Sequence, residues 1–415
     1  MLTYILSKTF TNVDVMGFKI GWLTWEQRKL ENMVHFFNGL TYKPNDIRKS
    51  GTFVIRSSNI QNGAIVSSDD VFVRNEIANS TNVKIGDIIV VVRNGSRKLI
   101  GKHAIVTVPM NNTVIGAFMT GIRTEHYNFI NALLSTLKFK DELRKNMGAT
   151  INQITGYMFS NMKFMFPNDQ EMDRIGTFLR KLDNLITLHQ RKLDQLNTLK
   201  KGLLQKMFAD KKHPQPELRF KGFSGDWEQR KLGEMVKFSK GKGYSKSDLS
   251  NKGFPIILYG RMYTNYETEI NNVDTFVQKQ KNDSLISNGG EVIVPASGET
   301  AEDISVASVV RRPGVIIGGD LNILYANRFI NPIFLALAIT YGNAHRKMAQ
   351  RAQGKSIVHL HNSDLANIKL IFPSIDEQSL ISNFLKKVDK AITLQQRKLD
   401  KLKKMKAAYL NEMFV

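Results

Sequence analysis

Apolar residues recur at alternating steps of three and four positions along two stretches of the chain. This pattern, held over four heptads, is typical of a helix that buries a narrow seam against another helix. A helix of about 35 residues is about 50 Å long. The seam positions are Ile175, Leu179, Leu182, Ile186, His189, Leu193, Leu196, Lys200, Leu203 and Met207, then Ile381, Leu385, Val388, Ile392, Gln395, Leu399, Leu402, Lys406, Tyr409 and Met413.

The two stretches belong to an internal repeat. Trp25–Leu30 recurs unchanged as Trp227–Leu232, and Ile186–Asp194 recurs with one substitution as Ile392–Asp400. Phe-Pro precedes both helices, Met-Phe ends both, and the glycines at 148 and 354 also correspond. A unit of about 200 residues is too long for a solenoid, so the repeat predicts a pseudo-twofold molecule.

The repeat predicts two globular domains and two long helices. We expect the helices to pair antiparallel within the chain, with the domains at opposite ends, and His189 and Gln395 to set their register. Each helix could instead pack only on its own domain, or pair with another chain. The predicted segments are a domain over 1–165, a helix over 166–210, a linker over 211–226, a domain over 227–371 and a helix over 372–415.

The domains read as α+β. Short β-rich runs broken by Gly and Asn fill residues 30–125 and 232–325, and helical patterns follow them. The regions between the repeated segments barely align between the two copies, so we expect these regions to have a different function in each copy. The clearest elements are strands at Phe53–Ile55, Asp87–Val92, Ala104–Val108 and Glu291–Val294, and helices at Tyr127–Lys145 and Pro332–Gln353.

Two equivalent loops carry glycines, an aromatic residue and cations, a composition that suits nucleic acid. We expect DNA contacts from both loops and from a Gly turn that follows a predicted strand, because Arg reads guanine edges and Asn reads adenine edges. The equivalent turn of the second copy is polar and acidic, so the two domains should read different bases. The candidate DNA-binding residues are Tyr42, Lys43, Arg93, Asn94, Ser96, Arg97, Lys98, Lys240, Lys242, Tyr244, Lys246 and Ser297.

Charge favours a polyanionic partner. The chain has 59 Lys and Arg against 37 Asp and Glu, a formal charge of +22, and neutralising phosphates releases counterions. It has no cysteine, which excludes disulfides, cysteine-ligated metals and cysteine nucleophiles. No apolar run approaches the roughly 18 residues of a membrane span, and we expect no signal peptide.

Candidate catalytic motifs are incomplete. Gln353–Ser356 resembles the end of a P-loop but lacks the first Gly, where Ala349 stands. Asn331–Phe334 lacks the second Pro of a methyltransferase motif and is better interpreted as a helix N-terminus. His359 and His361 have no evident third metal ligand. The sequence therefore indicates a binding protein without its own catalytic or metal site.

These segments together resemble the specificity subunit of type I restriction–modification enzymes, over nearly the whole chain. The features are Trp-Glu-Gln-Arg-Lys-Leu at 25–30 and 227–232, the lead-in Pro216–Phe223, the Phe-Pro steps, Ile375–Gln378 and the helices that end in Met-Phe. The first copy departs from the pattern in its lead-in, Met1–Thr24, and in Asn168–Glu171.

The resemblance implies two target-recognition domains that read one bipartite DNA site, separated by conserved antiparallel helices. It implies two modification subunits that bind S-adenosylmethionine and methylate adenine, and restriction subunits that use ATP and Mg²⁺, so this cytoplasmic chain would be non-catalytic. The alternatives are a general DNA- or RNA-binding protein with a coiled-coil spacer, and an enzyme with a cryptic site. The seam residues expected to serve subunit docking and spacing are Ile186, Leu193, Leu196, Ile392, Leu399 and Leu402.

Overall fold

The computed structural model describes residues 25–147, 152–210, 213–351 and 358–414. The lead-in Met1–Thr24, the repeated glycines Gly148 and Gly354 and the segment Gln353–Ser356 lie outside the described residues. The chain forms two compact units. Unit 1 comprises Met1–Gln190 with Arg397–Val415, and unit 2 comprises Arg191–Gln396. Each unit therefore contains the body of one repeat and segments of both long helices.

Unit 1 is a body of short strands followed by helices. Its strands are β1 (Glu26–Lys29), β2 (His35–Asn38), β3 (Ile47–Arg48), β4 (Thr52–Ile55), β5 (Ile60–Gln61), β6 (Ala64–Ile65), β7 (Val71–Val73), β8 (Ile88–Val91), β9 (His103–Ile105), β10 (Thr113–Ile115), β11 (Met119–Arg123) and β12 (Lys163–Phe166). Its helices are α1 (Tyr127–Leu133), α2 (Leu137–Asn146), α3 (Gly156–Ser160) and the first part of α4 (Asp169–Lys206).

Unit 2 repeats this plan. Its strands are β13 (Glu228–Lys231), β14 (Val236–Lys240), β15 (Leu249–Ser250), β16 (Phe254–Ile257), β17 (Glu269–Ile270), β18 (Phe276–Val277), β19 (Leu285–Ile286), β20 (Glu291–Pro295), β21 (Ser297–Gly298), β22 (Ser308–Val310), β23 (Ile316–Ile317), β24 (Leu321–Ala326), β25 (Val358–His359) and β26 (Lys369–Phe372). Its helices are α5 (Arg261–Thr264), α6 (Pro332–Tyr341), α7 (Asn343–Arg351), α8 (Asn362–Ala366) and the first part of α9 (Ile375–Met413).

The bodies share a sheet order although their sequences barely align. Unit 1 has the sheets β2-β11-β8-β9 and β10-β4-β7-β3. Unit 2 has the sheets β14-β24-β20-β22-β17 and β15-β18-β16-β23-β19. The order β14-β24-β20-β22 matches β2-β11-β8-β9 of unit 1. The order β23-β16-β18-β15 matches β10-β4-β7-β3. Strand β4 pairs parallel with β10, and β16 pairs parallel with β23. The expected α+β class is confirmed. Each of the four predicted strands overlaps an observed one, although β9 ends at Ile105 and not at Val108 as predicted.

The repeated Trp-Glu-Gln-Arg-Lys-Leu segment forms a strand that closes each body. In unit 1, β1 pairs antiparallel with β12, so that Glu26 lies opposite Phe166. In unit 2, β13 pairs with β26 in the same register, with Glu228 opposite Phe372. The Phe-Pro step therefore ends the strand that joins each body to its long helix, because Pro lacks the N–H that a ladder needs.

The two helices predicted at Tyr127–Lys145 and Pro332–Gln353 are each divided into two shorter helices. The prediction of a single helix in each body was therefore wrong. Between α1 and α2, the Thr136 hydroxyl accepts a hydrogen bond from the Phe139 N–H (3.2 Å) and starts a new helix. Between α6 and α7, Gly342 adopts an extended conformation in which a Cβ would lie 2.6 Å from the Ala338 carbonyl oxygen. Hydrophobic spacing continues through both breaks, so spacing alone predicted single helices.

The two long helices are confirmed as α4 and α9, of 38 and 39 residues. Within unit 1, the Phe178 and Tyr409 rings meet edge-on at 5.0 Å, and Asp183 pairs with Lys406. Residue numbers rise along one segment as they fall along the other, so the segments run antiparallel. Within unit 2, Lys200 of α4 pairs with Asp389 of α9. All seam positions are buried or half-buried, including His189 and Gln395.

Each Met-Phe helix end lies in the core of the unit that holds the other repeat's body. Phe414 is buried in unit 1, 6.2 Å from Trp25 and 5.0 Å from Phe129 between ring centres. In unit 2, Phe208 lies 6.5 Å from Trp227 and 5.7 Å from Phe334. The body of each repeat is thus completed by the helix end of the other.

The segment predicted as a linker is folded rather than free. The Arg219 guanidinium forms two hydrogen bonds, of 2.8 and 2.9 Å, with the carboxylate of Glu377, which is 1% exposed. Phe220 packs edge-on against Phe384 at 5.8 Å. These contacts hold the lead-in of the second copy on the first turns of α9.

Candidate nucleic-acid interface

Three chain segments of unit 1 meet where strands β4 and β8 end, and we name them the unit 1 loop cluster: Ser57–Gln61, Arg93–Lys98 and Asn152–Gln153. The side-chain amide of Asn94 donates to the Ser57 hydroxyl (3.1 Å), and its backbone N–H donates to the Asn152 carbonyl (3.2 Å). Asn152 donates in turn to the Gly95 carbonyl (2.9 Å), and Arg93 bridges to Gln153. The rigid sheet therefore fixes loops from three distant parts of the sequence in one place.

The predicted base-reading turn is part of this cluster and carries exposed cations. Arg93, Ser96, Arg97 and Lys98 are exposed. Asn94 differs from them, because its side-chain oxygen accepts from the Ser96 N–H (3.0 Å) while its amide is bonded to Ser57. Asn94 thus positions the turn, and the exposed cations are the groups available to a ligand.

An exposed aromatic residue that the sequence did not single out supports this turn. Phe118 lies between β10 and β11, is 53% exposed, and has the Arg93 guanidinium carbon 4.9 Å from its ring centre. Its carbonyl oxygen accepts hydrogen bonds from the backbone N–H groups of Val92 (3.0 Å) and Arg93 (3.2 Å). Only the folded sheet brings Phe118 to Arg93, so no local pattern could reveal the pair.

The corresponding segments of unit 2 meet in the same way, and we name them the unit 2 loop cluster: Tyr259–Tyr263, Ser297–Asp303 and Val358–His359. Strand β21 pairs with β25, so that Ser297 lies opposite His359. The Tyr263 hydroxyl donates to the Ser297 carbonyl (2.7 Å), and the Tyr259 ring lies 5.8 Å from the Tyr263 ring. Burial, and then the nearby Asp303 carboxylate, raise the pKa of Tyr263, so this phenol stays a donor.

The chemistry of the unit 2 loop cluster differs from that of unit 1. Glu299, Thr300 and Glu302 are exposed where unit 1 presents Arg and Lys. Ser297 was expected to contact DNA, but it is 8% exposed and lies within a strand, so its short side chain is not presented to a ligand. The acidic and polar residues that follow it are the exposed part of this cluster.

The glycines of the two glycine-aromatic loops lie where another backbone segment approaches closely. A Cβ on Gly39 would lie 2.0 Å from the Gly116 carbonyl oxygen, and one on Gly241 would lie 1.8 Å from that of Gly318. These glycines permit close backbone packing, because a Cβ at either position would overlap the facing carbonyl group.

The aromatic residues of those loops belong to the core. Tyr244 is 9% exposed, its hydroxyl bonds to Ser284 (2.6 Å), and the Lys281 ammonium lies 4.5 Å from its ring centre. The Tyr244 ring therefore has no open face to present to a base. Tyr42 is half-buried in a small apolar cluster. The cations of these loops, Lys43, Lys240, Lys242 and Lys246, are exposed.

The seam residues expected to serve docking face inward. Leu193 and Leu399 are buried, and Ile186, Leu196, Ile392 and Leu402 are half-buried. These six side chains line the seam, and their roles in spacing and docking stay predictions. The opposite face of each helix is exposed. On that face Leu188 and Leu394, at equivalent positions of the repeat, are 60% and 54% exposed.

The remaining candidate motifs from the sequence can be placed in the structure. The Asn331 side chain caps α6 by accepting from the N–H groups of Ile333 (2.9 Å) and Phe334 (3.2 Å), as expected for a helix N-terminus. The rings of His359 and His361 are parallel, 6.5 Å apart. Across the described ranges, no three His, Asp or Glu side chains lie close enough to hold a metal ion. No helix among those residues is both long and apolar enough to span a membrane.

Comparison with known proteins identifies the class. A family model described as the type I restriction modification DNA specificity domain matches residues 23–198 and 224–404. The chain is 22% identical to the type I restriction enzyme MjaVIII specificity subunit of Methanocaldococcus jannaschii over 295 residues, 67% of this chain and 68% of that protein. It is 25% identical to the putative MjaX specificity subunit of the same organism over 412 residues, 93% and 92% of the two chains.

A solved structure has the same fold. The S subunit of a type I restriction–modification system from M. genitalium aligns with a TM-score of 0.63 and 15% identity, over 96% of this chain and 98% of that one.

Proposed function

Because the chain belongs to the family of type I restriction–modification DNA specificity proteins, we propose that it selects one asymmetric, two-part DNA sequence, with one unit for each part. The observation that carries this proposal is the pair of loop clusters. Three equivalent segments of each repeat build the two clusters at equivalent places in the two bodies. The unit 1 cluster nevertheless exposes Arg and Lys, whereas the unit 2 cluster exposes Glu and Thr. A general nucleic-acid binder has no need for this asymmetry.

In this proposal, different residues recognise the DNA bases and contact the DNA phosphates. The exposed residues of the two clusters read base edges, because groups fixed by a sheet discriminate between bases at low entropic cost. Exposed lysines outside the clusters, such as Lys43, Lys240, Lys242 and Lys246, contact phosphates. The formal charge of +22 supports a large electrostatic contribution to affinity.

The long helices supply spacing and docking. A helix of 38 residues is about 57 Å long, and we propose that its length sets the gap between the two half-sites. Two modification subunits dock on equivalent outward faces centred on Leu188 and Leu394. Thr187-Leu188 and Thr393-Leu394 are identical in the two copies although exposed, whereas the neighbouring Leu185 corresponds to Ala391.

The chain itself is non-catalytic in this account. S-adenosylmethionine serves the modification subunits, which methylate adenine, and ATP and Mg²⁺ serve the restriction subunits. The complex acts on the DNA of the cytoplasm.

The proposal is tested by selection from a randomised double-stranded DNA library with the full-length chain, alone and together with the modification subunit. We expect enrichment of one sequence with two unlike parts and a fixed gap. Salt-sensitive binding without any enriched two-part sequence would contradict the proposal and favour a general DNA- or RNA-binding protein.

The docking face is tested separately by native mass spectrometry. Leu188→Asp or Leu394→Asp should each remove one modification subunit from the complex, and the double variant should remove both. Leu380→Asp is the matched control, because Leu380 is 44% exposed on α9 and corresponds to Arg174 in the first copy. Retention of both subunits by the double variant would exclude this face.

A further inference from the structure

Arg93 and Phe118 form an exposed pair at the unit 1 loop cluster. Resting on the proposed function, we propose that Arg93 reads a guanine of the half-site bound by unit 1, and that Phe118 is the positioning residue that orients its guanidinium. The role of Phe118 does not follow from the loop sequence, since Phe118 lies 25 residues after Arg93 along the chain. The argument rests on how the backbone, the ring and the charge of this pair are arranged.

The backbone of Arg93 is held on both sides. Its N–H donates to the Phe118 carbonyl (3.2 Å), and its other edge bridges to Gln153. Two hydrogen bonds of the flanking residues form this bridge, because the Ile154 N–H donates to the Val92 carbonyl (2.8 Å) and the Asn94 N–H donates to the Asn152 carbonyl (3.2 Å). The side chain of Arg93 therefore begins from a fixed point at the edge of the sheet.

The guanidinium has an aromatic support and lacks a carboxylate. Its central carbon lies 4.9 Å from the Phe118 ring centre. Within the described part of the chain, no Asp or Glu oxygen lies within 4.0 Å of Arg93. By contrast, Arg123, which stacks on Phe37, pairs with Asp87 (2.7 Å), and Arg230, which stacks on Phe329, pairs with Glu228 (2.8 Å). Arg93 thus presents its N–H donors to solvent from a side chain that lies over an aromatic ring.

These properties match guanine. The guanidinium fork donates two parallel hydrogen bonds to the O6 and N7 acceptors of guanine, whereas adenine presents one acceptor and one donor at that edge. Stacking on Phe118 restrains the side chain before DNA arrives, so less conformational entropy is lost on binding.

Unit 2 cannot make the same contact. Ser297 occupies the position equivalent to Arg93, and Asp320 the position equivalent to Phe118: the Ala296 N–H bonds to the Asp320 carbonyl (2.8 Å) as that of Val92 bonds to Phe118. The half-site bound by unit 2 is consequently an internal control for any variant of the pair.

The test repeats the selection from the randomised duplex library with variants of the full-length chain in the same complex. In Arg93→Ala, preference for guanine at one position of one half-site should fall by about 5- to 150-fold, the discrimination of one bidentate contact. In Phe118→Ala the same position should weaken by about 2- to 5-fold, the contribution of an exposed cation–π contact. Phe118→Tyr should retain the preference, and the other half-site should stay unchanged in all three variants.

Phe329→Ala is the matched control, since Phe329 is also an exposed phenylalanine outside both clusters, and its ring contacts the guanidinium groups of Arg230 and Arg328. This variant should alter neither half-site. Guanine preference kept at every position in Arg93→Ala, or equal loss in both half-sites, would overturn the inference. So would a Phe118→Ala variant that is indistinguishable from the wild type. Absence of any two-part sequence in the wild-type selection would be a failure of the proposed function itself, and the inference would fall with it.

Discussion

Lys406 in the second long helix forms an ion pair with Asp183 in the first, with 2.5 Å between Nζ and Oδ1. The repeat forms the same pair with the roles of the helices exchanged, because Lys200 of the first helix lies 2.6 Å from Asp389 of the second. A lysine at an apolar seam position is costly unless its charge is paired. The two pairs explain why each copy keeps a lysine in its seam, and they favour the antiparallel register in both units.

We predict that the two ion pairs contribute equally and modestly. Asp183→Ala with Lys406→Ala, and Asp389→Ala with Lys200→Ala, should each give a coupling energy of about 0.2–1 kcal/mol, because these groups are partly exposed and screened by solvent. Double-mutant cycles on thermal unfolding at low and high salt would measure it. Couplings that differ in sign between the two pairs, or that are insensitive to salt, would contradict the equivalence.

Removal of the aromatic side chain of Phe414, at the end of the second long helix, should destabilise the body of the first repeat. Phe414→Ala removes a buried ring that contacts Trp25 and Phe129, at a cost of about 3–5 kcal/mol. Hydrogen–deuterium exchange should rise in residues 25–147 and stay unchanged in residues 213–351, and Phe208→Ala should show the reverse. Leu394→Ala, at an exposed position, is the control. Faster exchange in the wrong body would refute this arrangement of the helix ends.

Unit 1 should lose stability at mildly acidic pH. Burial lowers the pKa of His103, whose ring nitrogens lie 2.9 Å from the Gly101 carbonyl and 3.2 Å from the Ser135 hydroxyl. Because the folded pKa is below the unfolded value, the unfolded state binds the proton first. The contribution of neutral His103 is complete above a pH of about 6.5 and is lost as the pH falls towards the folded pKa.

The role of His103 is tested by comparing the pH dependence of the melting temperature between a variant of His103 and a control variant of His359. His103→Asn should flatten the decline in the melting temperature of unit 1 below pH 6.5, whereas His359→Asn, at an exposed histidine of unit 2, should leave it unchanged. An equally steep decline in His103→Asn would show that other groups cause it.

The helices should act as the ruler of the DNA site. Removal of one heptad from each helix keeps both seams in phase and shortens each helix by about 10 Å. About 34 Å of DNA makes one turn, so the gap between the half-sites should shorten by about three base pairs while both half-site sequences persist. Selection or methylation mapping would report the gap, and an unchanged gap would refute the ruler.

Much of the architecture could be predicted from the sequence because helices and repeats leave local signals. The 3-4 spacing marked α4 and α9, and every seam position is at least half-buried. The exchange of helix ends between the bodies left no such signal, since Phe208 and Phe414 meet their partners only after the chain has folded. The lysines of the seam were visible, but their partners Asp183 and Asp389 lie on the other helix.

The candidate site was harder to predict, because residue type does not reveal burial. Tyr244 and Ser297 have the composition of a binding loop, yet the first fills a core and the second lies in a strand. Asn94 has a base-reading side chain whose oxygen is bonded within its own turn and whose amide is bonded to Ser57. Phe118 had no local signal, since it reaches Arg93 through the pairing of β8 with β11.

The central claim is tested most directly by the methylation pattern of a methylation-free host genome, with the modification subunit expressed with and without this chain. We predict adenine methylation at one gapped, two-part sequence that appears only when this chain is present. Methylation of the same sequence without the chain, or no methylation although the two proteins associate, would contradict the claim that this chain supplies the specificity.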